Sequence, residues 1–158
     1  ESFKEIVMTT IIEEYESILS KASIAGSATD EMIASAEQQL AIRFPAPYRK
    51  FLKKYGAALG VGFEIAGLYE SSGDGSPMWE HVVKKSEQFR RFTKEYLPAT
   101  LVPISDDGCE VVFYINAEPL PENTACSILA YGPGIDGEVV TSSFEEFVVK
   151  LANGTIEA

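Results

Sequence analysis

A chain of 158 residues with 46% hydrophobic residues, nine Phe and seven Tyr can bury a full core, which excludes a disordered linker or tail. Its formal net charge of −11 disfavours direct contact with nucleic acid or an anionic membrane, and the charge is unevenly spread. Residues 1–42 sum to −6, residues 43–94 to +5 and residues 95–158 to −10, with Lys150 the single base of the last stretch. An acidic C-terminal half of this kind keeps a protein in solution, and it also attracts a basic protein surface. No apolar run approaches the roughly 18 residues of a membrane-spanning helix. The N-terminus, ESFKEIVMTTIIEEYES, is charged throughout, unlike a signal peptide, so a cytoplasmic location is expected. Glu1 is not a native start, so the chain reads as processed or trimmed, and a removed leader stays open.

Along the chain, Phe3, Ile6, Val7, Ile11, Tyr15, Ile18 and Leu19 recur at steps of three and four, which predicts a helix over about residues 3–21. Residues 23–28, SIAGSA, read as a loop. Thr29 then caps a second helix whose first turn carries Asp30 and Glu31, where the helix dipole favours negative charge. Pro45 and Pro47 open a third helix, with Tyr48, Phe51, Leu52 and Tyr55 facing inward and Gly56 as its stop. Gly60–Leu68 reads as a first strand, residues 71–77 as a flexible loop, and Pro77 to Leu97 as a fourth helix.

Thereafter the apolar period changes from about 3.6 to 2. Strands are predicted over Leu101–Ser105, Glu110–Asn116, Cys126–Tyr131 and Glu138–Thr141, with turns at 106–108, 119–123 and 132–137. Ser143 caps a last helix, Glu146 completes a capping box, and Gly154 ends it. The expected fold is a single α+β domain: N-terminal helices, a mainly antiparallel curved sheet and a closing C-terminal helix.

Catalytic chemistry lacks parts. His81 is the only histidine, so neither a Ser-His-Asp triad nor a His-based metal site can be assembled, and a surface or boundary position on the fourth helix accounts for it. Cys109 and Cys126 lack CxxC spacing. They fall at the starts of neighbouring strands, too far apart to bridge in an antiparallel hairpin, so both are expected as thiols. The glycines at 56, 60 and 62 follow a helix and enter a strand, the reverse of a phosphate loop. Asp106, Asp107 and Glu110 offer too few ligands for a divalent cation; they read as solvated turn acids or as the rim of a protein-binding face. Glu118, Glu122, Asp136 and Glu138 sit in other loops of the same sheet region. Lys84, Lys85, Arg90, Arg91 and Lys94 read as a solvated basic face paired with Glu80, Glu87 and Glu95. Tyr69, Trp79 and Tyr114 read as core residues or as aromatic interface anchors.

Four segments carry a family resemblance. The first, residues 29–56, has Glu37, Leu40, Phe44-Pro45, Tyr48, Phe51-Leu52 and Tyr55-Gly56. Ala66-Gly67-Leu68 closes the glycine-rich strand, and Leu101–Gly108 (LVPISDDG) makes a central strand and turn. Thr141–Phe147 (TSSFEEF) opens the last helix. In this order and spacing they resemble the SUKH superfamily over about residues 29–152: bacterial immunity proteins that neutralise a cognate toxin, with relatives among fungal cell-wall regulators. Cys109-Glu110 stands where the family often has Gly-Asp or a second Gly. The resemblance implies a non-enzymatic immunity protein without cofactor or metal, binding a protein toxin. The −10 C-terminal half adds the expectation that the toxin is a basic nuclease, occluded by a rim of Asp106, Asp107, Glu110, Glu118, Asp136 and Glu138 with Tyr69, Trp79 and Tyr114 as anchors. A regulatory scaffold module is the alternative.

Overall fold

Ser2 sets the start of the first helix, α1 (Phe3–Lys21): its hydroxyl accepts the Glu5 amide while the Glu5 carboxylate accepts the Ser2 amide, a complete capping box. The computed structural model describes residues 2–70, 78–93, 97–117 and 126–156. Thr29 caps α2 (Asp30–Leu40) as the sequence implies, its hydroxyl accepting the Met32 amide. Helix α3 (Ala46–Lys54) begins at the Phe44-Pro45 break. That joint is fixed by Glu37, whose carboxylate accepts the Phe44 amide at 2.7 Å and pairs with Arg49 at 3.5 Å.

Three short strands follow one another in one antiparallel sheet: β1 (Ser23–Ile24), β2 (Ala58–Gly60) and β3 (Phe63–Ile65). This corrects the single strand expected over 60–68 and the plain loop at 23–28. Gly62, at φ 80°, reverses the chain in the middle of the expected strand, so the segment folds back as a hairpin. Helix α4 runs Val82–Thr93, starting later than expected because His81 instead forms a parallel bridge with Gly67. The expected starting residue Pro77 and the loop at 71–77 lie outside the described residues, as does the 119–123 turn.

The second sheet is an antiparallel meander of β4 (Leu101–Asp106), β5 (Val112–Asn116), β6 (Ile128–Gly132) and β7 (Ile135–Thr141). Strand β5 starts two residues later than expected, because Asp107 N–H donates to the Val111 carbonyl and keeps Glu110 in the turn. Strand β7 starts three residues earlier, after a tight turn at Pro133-Gly134. Helix α5 (Phe144–Asn153) closes the chain. Ser143 accepts the Glu146 amide, but the Glu146 carboxylate turns to Lys150 at 3.4 Å, so only half of the expected capping box forms. The predicted α+β domain is therefore what the chain adopts.

The core lies between the helices and the inner face of the sheets. Tyr48 is its centre: its ring lies 5.3 Å from Phe44, 5.9 Å from Phe51 and 5.7 Å from Phe144. Its fully buried hydroxyl donates to the Ala66 carbonyl at 2.6 Å. Ala66 N–H in turn donates to the Ile104 carbonyl at 2.8 Å, and the Ser105 hydroxyl donates to the Glu64 carbonyl at 2.6 Å. These two bonds stitch β3 to β4 at the register shift between Pro103 and Ser105, so the two sheets act as one curved surface. Beside the stitch, Gly56 and Gly67 pass backbone against backbone; a Cβ on Gly67 would overlap the Gly56 carbonyl oxygen.

The apolar stripe of α1 is only half used. Tyr15 and Leu19 are buried, whereas Phe3 is 82% exposed and Ile6 50% exposed. Replacing Tyr48 by Phe removes one buried hydroxyl and leaves its partner carbonyl short of a donor. We expect a loss of about 1–2 kcal/mol in urea unfolding with no change in m-value.

Candidate functional site

The β4–β5 and β6–β7 turns meet at one end of the second sheet. Val112 pairs with Tyr131, and Tyr131 with Asp136, so Glu110 and Asp136 are brought to the same end. Glu110, Asp107, Asp136 and Glu138 are all exposed there. The Asp107 Oδ1 accepts the Cys109 amide at 2.8 Å and the Val111 amide at 3.1 Å, which fixes the turn that presents Glu110. Cys109 is an exposed thiol on that turn and Cys126 a buried one.

Asp106 differs from its neighbours. Its Oδ2 accepts from Lys85 Nζ at 2.9 Å and its Oδ1 accepts the Gly108 amide at 2.8 Å. Lys85 also donates to Glu80 at 2.6 Å, and its side chain is only 8% exposed. Lys85 was expected on a solvated basic face, and that expectation fails. It follows Val82 by three residues and precedes Phe89 by four, which places it on the inner stripe of α4, and its ammonium lies 5.3 Å from the Phe89 ring. That spacing was the available signal. Desolvation pushes the Lys85 ammonium toward deprotonation, but the hydrogen bonds to Glu80 and Asp106 overcome it and hold its pKa above the usual value. Desolvation likewise opposes the Asp106 charge, and the Lys85 and Gly108 donors outweigh it, so the Asp106 carboxyl lies below the usual range.

Glu64 completes the cluster. Its Oε2 accepts the Glu80 amide at 3.0 Å. Desolvation, then repulsion from Glu80, holds its carboxyl above the usual value; the Glu80 amide and Lys85 counteract this, and Asp106 adds to it.

The expected aromatic anchors sit in two places. Tyr114 is 4% exposed and lies in β5 between Pro103 and Leu129, so it is a packed support rather than an open anchor. Its ring meets that of Tyr131 edge-on at 5.5 Å. Tyr131, half-buried beside Asp136, is the aromatic residue at the acidic end that sequence reading passed over; strand alternation from Tyr114 through its partner strand was the available clue. Tyr69 and Trp79 form a separate cluster, with the Tyr69 hydroxyl donating to the Trp79 carbonyl at 2.7 Å and Trp79 Nε1 donating to the Ser23 carbonyl at 3.0 Å. His81, 5.2 Å from the Tyr69 ring, is partly buried and its Nδ1 accepts the Val83 amide at 3.3 Å. Desolvation, then the Lys84 charge, keeps its pKa low despite Glu87, so a neutral boundary residue is the right reading. Glu118, Glu122, Lys94 and Glu95 lie outside the described residues.

Among the described residues no group of His, Cys, Asp and Glu side chains could hold a metal ion, and no helix is long and apolar enough to cross a membrane. The arrangement offers charge and shape for binding.

Two stability tests separate the inner acids from the outer ones. Lys85→Met strands Glu80 and Asp106 beside an apolar side chain; we expect a loss of about 2–3 kcal/mol, less than for a fully buried pair because both carboxylates reach solvent. Glu64→Gln should act oppositely. Because the folded pKa of Glu64 is raised, ionisation costs stability as pH rises from the ordinary value of 4.5 through the folded value. The Gln variant should therefore match the parent below that window and be the more stable above it, as read by urea unfolding across pH.

No curated protein matches the chain significantly. Residues 8–153 match the SUKH_5 family, described as SMI1-KNR4 cell-wall, so the match reaches back into α1 beyond the 29–152 of the motif resemblance. With that match spanning nearly the whole fold, this chain belongs to the SUKH_5 family.

Proposed function

We propose that this protein is an immunity protein that binds a cognate bacterial toxin, a basic nuclease domain, and neutralises it by one-to-one occlusion. The observation that carries the reading is the convergence of Asp107, Glu110, Asp136 and Glu138, all exposed, at one end of the sheet beside Tyr131. A nuclease must be basic where it holds phosphates. An acidic surface with an aromatic residue at its edge complements that cleft and excludes the substrate, and opposite charge speeds capture. Within this reading the protein performs no reaction, and its one imidazole, whose Nδ1 accepts the Val83 amide, serves the fold.

The alternative, a regulatory scaffold module, draws support from the exposed apolar side chains of Phe3, Ile6, Val7 and Met8 at the start of α1, a face suited to a helix-binding partner.

The test is calorimetry at low and high salt against the C-terminal domain of a large secreted protein encoded beside this gene. Tight one-to-one binding that weakens with salt is expected; no binding removes the antidote reading for that pair. Neutralising Glu110, Asp136 and Glu138 together should slow association about tenfold at low salt with little effect on dissociation. An unchanged on-rate would move the contact surface elsewhere.

A further inference from the structure

The β2–β3 hairpin, the β4–β5 turn and the C-terminal end of α5 enclose an open cleft of about 660 Å³. That size lies within the range of small-ligand sites and accommodates one or two inserted side chains. Its walls are hydrocarbon: Leu59, Phe63, Val111, Leu151 and Ile156. The acids Glu64, Asp106 and Asp107 line the same space. Gly62, Gly108 and Gly154 stand at it without side chains, and a Cβ at any of the three would meet nothing within 4 Å, so access is not blocked there.

Charge selects the occupant. The Lys85 ammonium is already committed to Glu80 and Asp106, with Glu64 also in its field, while Asp107 lines the cleft with no cation on it among the described contacts. The other nearby base, Lys150, is paired with Glu146. The C-terminal end of α5, through Leu151 and Gly154, contributes the negative pole of its dipole to the same space. A metal ion is a poor fit, because Asp107 Oδ1 is taken by two amides, Asp106 by Lys85 and the Gly108 amide, and Glu64 Oε2 by the Glu80 amide. What matches apolar walls with excess negative charge is a long hydrocarbon stem that ends in a cation.

We propose that this cleft receives a lysine or arginine side chain presented by a basic partner protein. The identity of the partner rests on the binding reading above; the chemical preference of the cleft does not. The raised pKa of Glu64 agrees with it, since a carboxylate held against desolvation and a neighbouring acid gains most from an added cation.

The probe is N-acetyl-arginine methylamide, with the neutral citrulline analogue as control, titrated into the labelled protein and followed by amide NMR shifts. We expect saturable shifts confined to residues 59–64, 106–111 and 151–156, with a dissociation constant of about millimolar order for so small a ligand. The citrulline analogue should give none. The double variant Glu64→Gln/Asp107→Asn keeps the acceptor oxygens that the Glu80, Cys109 and Val111 amides use, so it should fold while weakening the arginine probe about tenfold. If it does not fold, Ile156→Arg, which places a cation at the cleft itself, should block the probe instead. Shifts spread over Glu110, Asp136 and Glu138, equal binding of the citrulline analogue, or unchanged affinity in a folded variant would overturn the proposal. A protein partner that binds the double variant as tightly as the parent would also overturn it while leaving the antidote reading intact. Arginine binding in the cleft with no response to the neighbouring gene product would remove that reading and keep the cleft as a cation-accepting site.

Discussion

Ala66 is the residue on which the arrangement of the two sheets depends. Its carbonyl accepts the buried Tyr48 hydroxyl, and its amide donates to Ile104. The first bond ties the helical layer to the β2–β3 hairpin; the second ties that hairpin to the meander. A three-stranded sheet with strands of two and three residues has little independent stability. The aromatic cluster around Tyr48, with Phe144 contributed by the last helix, supplies the apolar burial, while the hydroxyl fixes the register that burial alone would leave loose. Gly56 and Gly67 allow the approach. One buried polar contact thus sets where residue 64 lies relative to residue 106, and with it the shape of the acidic cleft.

Much of this was legible because the helix grammar is local. Thr29, the Phe44-Pro45 break and Gly154 each act through bonds to residues a few positions away, and a sequence states such bonds directly. Glu37 was legible as a motif residue but not as a joint, since the Phe44 amide it accepts is seven residues distant. The first hairpin was missed because Gly60-Val61-Gly62 reads equally as strand punctuation and as a turn, and only its pairing across Ala58–Ile65 decides. The α1 stripe shows the converse. Its periodicity is correct, yet the domain body covers the stripe only from Ile11 onward, burying Tyr15 and Leu19 and partly covering Ile11 and Ile18, and periodicity cannot say where a neighbouring surface ends.

The site was less legible than the fold for a related reason. Acidity along residues 95–158 is a sum, and sums do not distinguish a carboxylate that faces solvent from one that is spoken for. Asp106 and Asp107 are adjacent in sequence and opposite in circumstance: the first is held by Lys85 from α4, 21 residues away, and the second closes its own turn. Tyr114 and Tyr131 divide in the same way between support and rim, by their position along the two central strands rather than by composition.

This division has a consequence for how charge works in the molecule. Lys85, itself buried, neutralises part of an inner group of acids whose placement the fold requires, while Glu80 and Asp106 still reach solvent. Glu110, Asp136 and Glu138 are exposed, so their field reaches only about a Debye length and is weakened by added salt. In the proposed binding reading, the outer acids would set how fast an oppositely charged surface arrives. The inner acids, set beside hydrocarbon walls where the dielectric is lower, would set what stays. Long-range attraction and short-range selection would then be separated in space, with a single lysine on the inner face of α4 making that separation compatible with a stable fold.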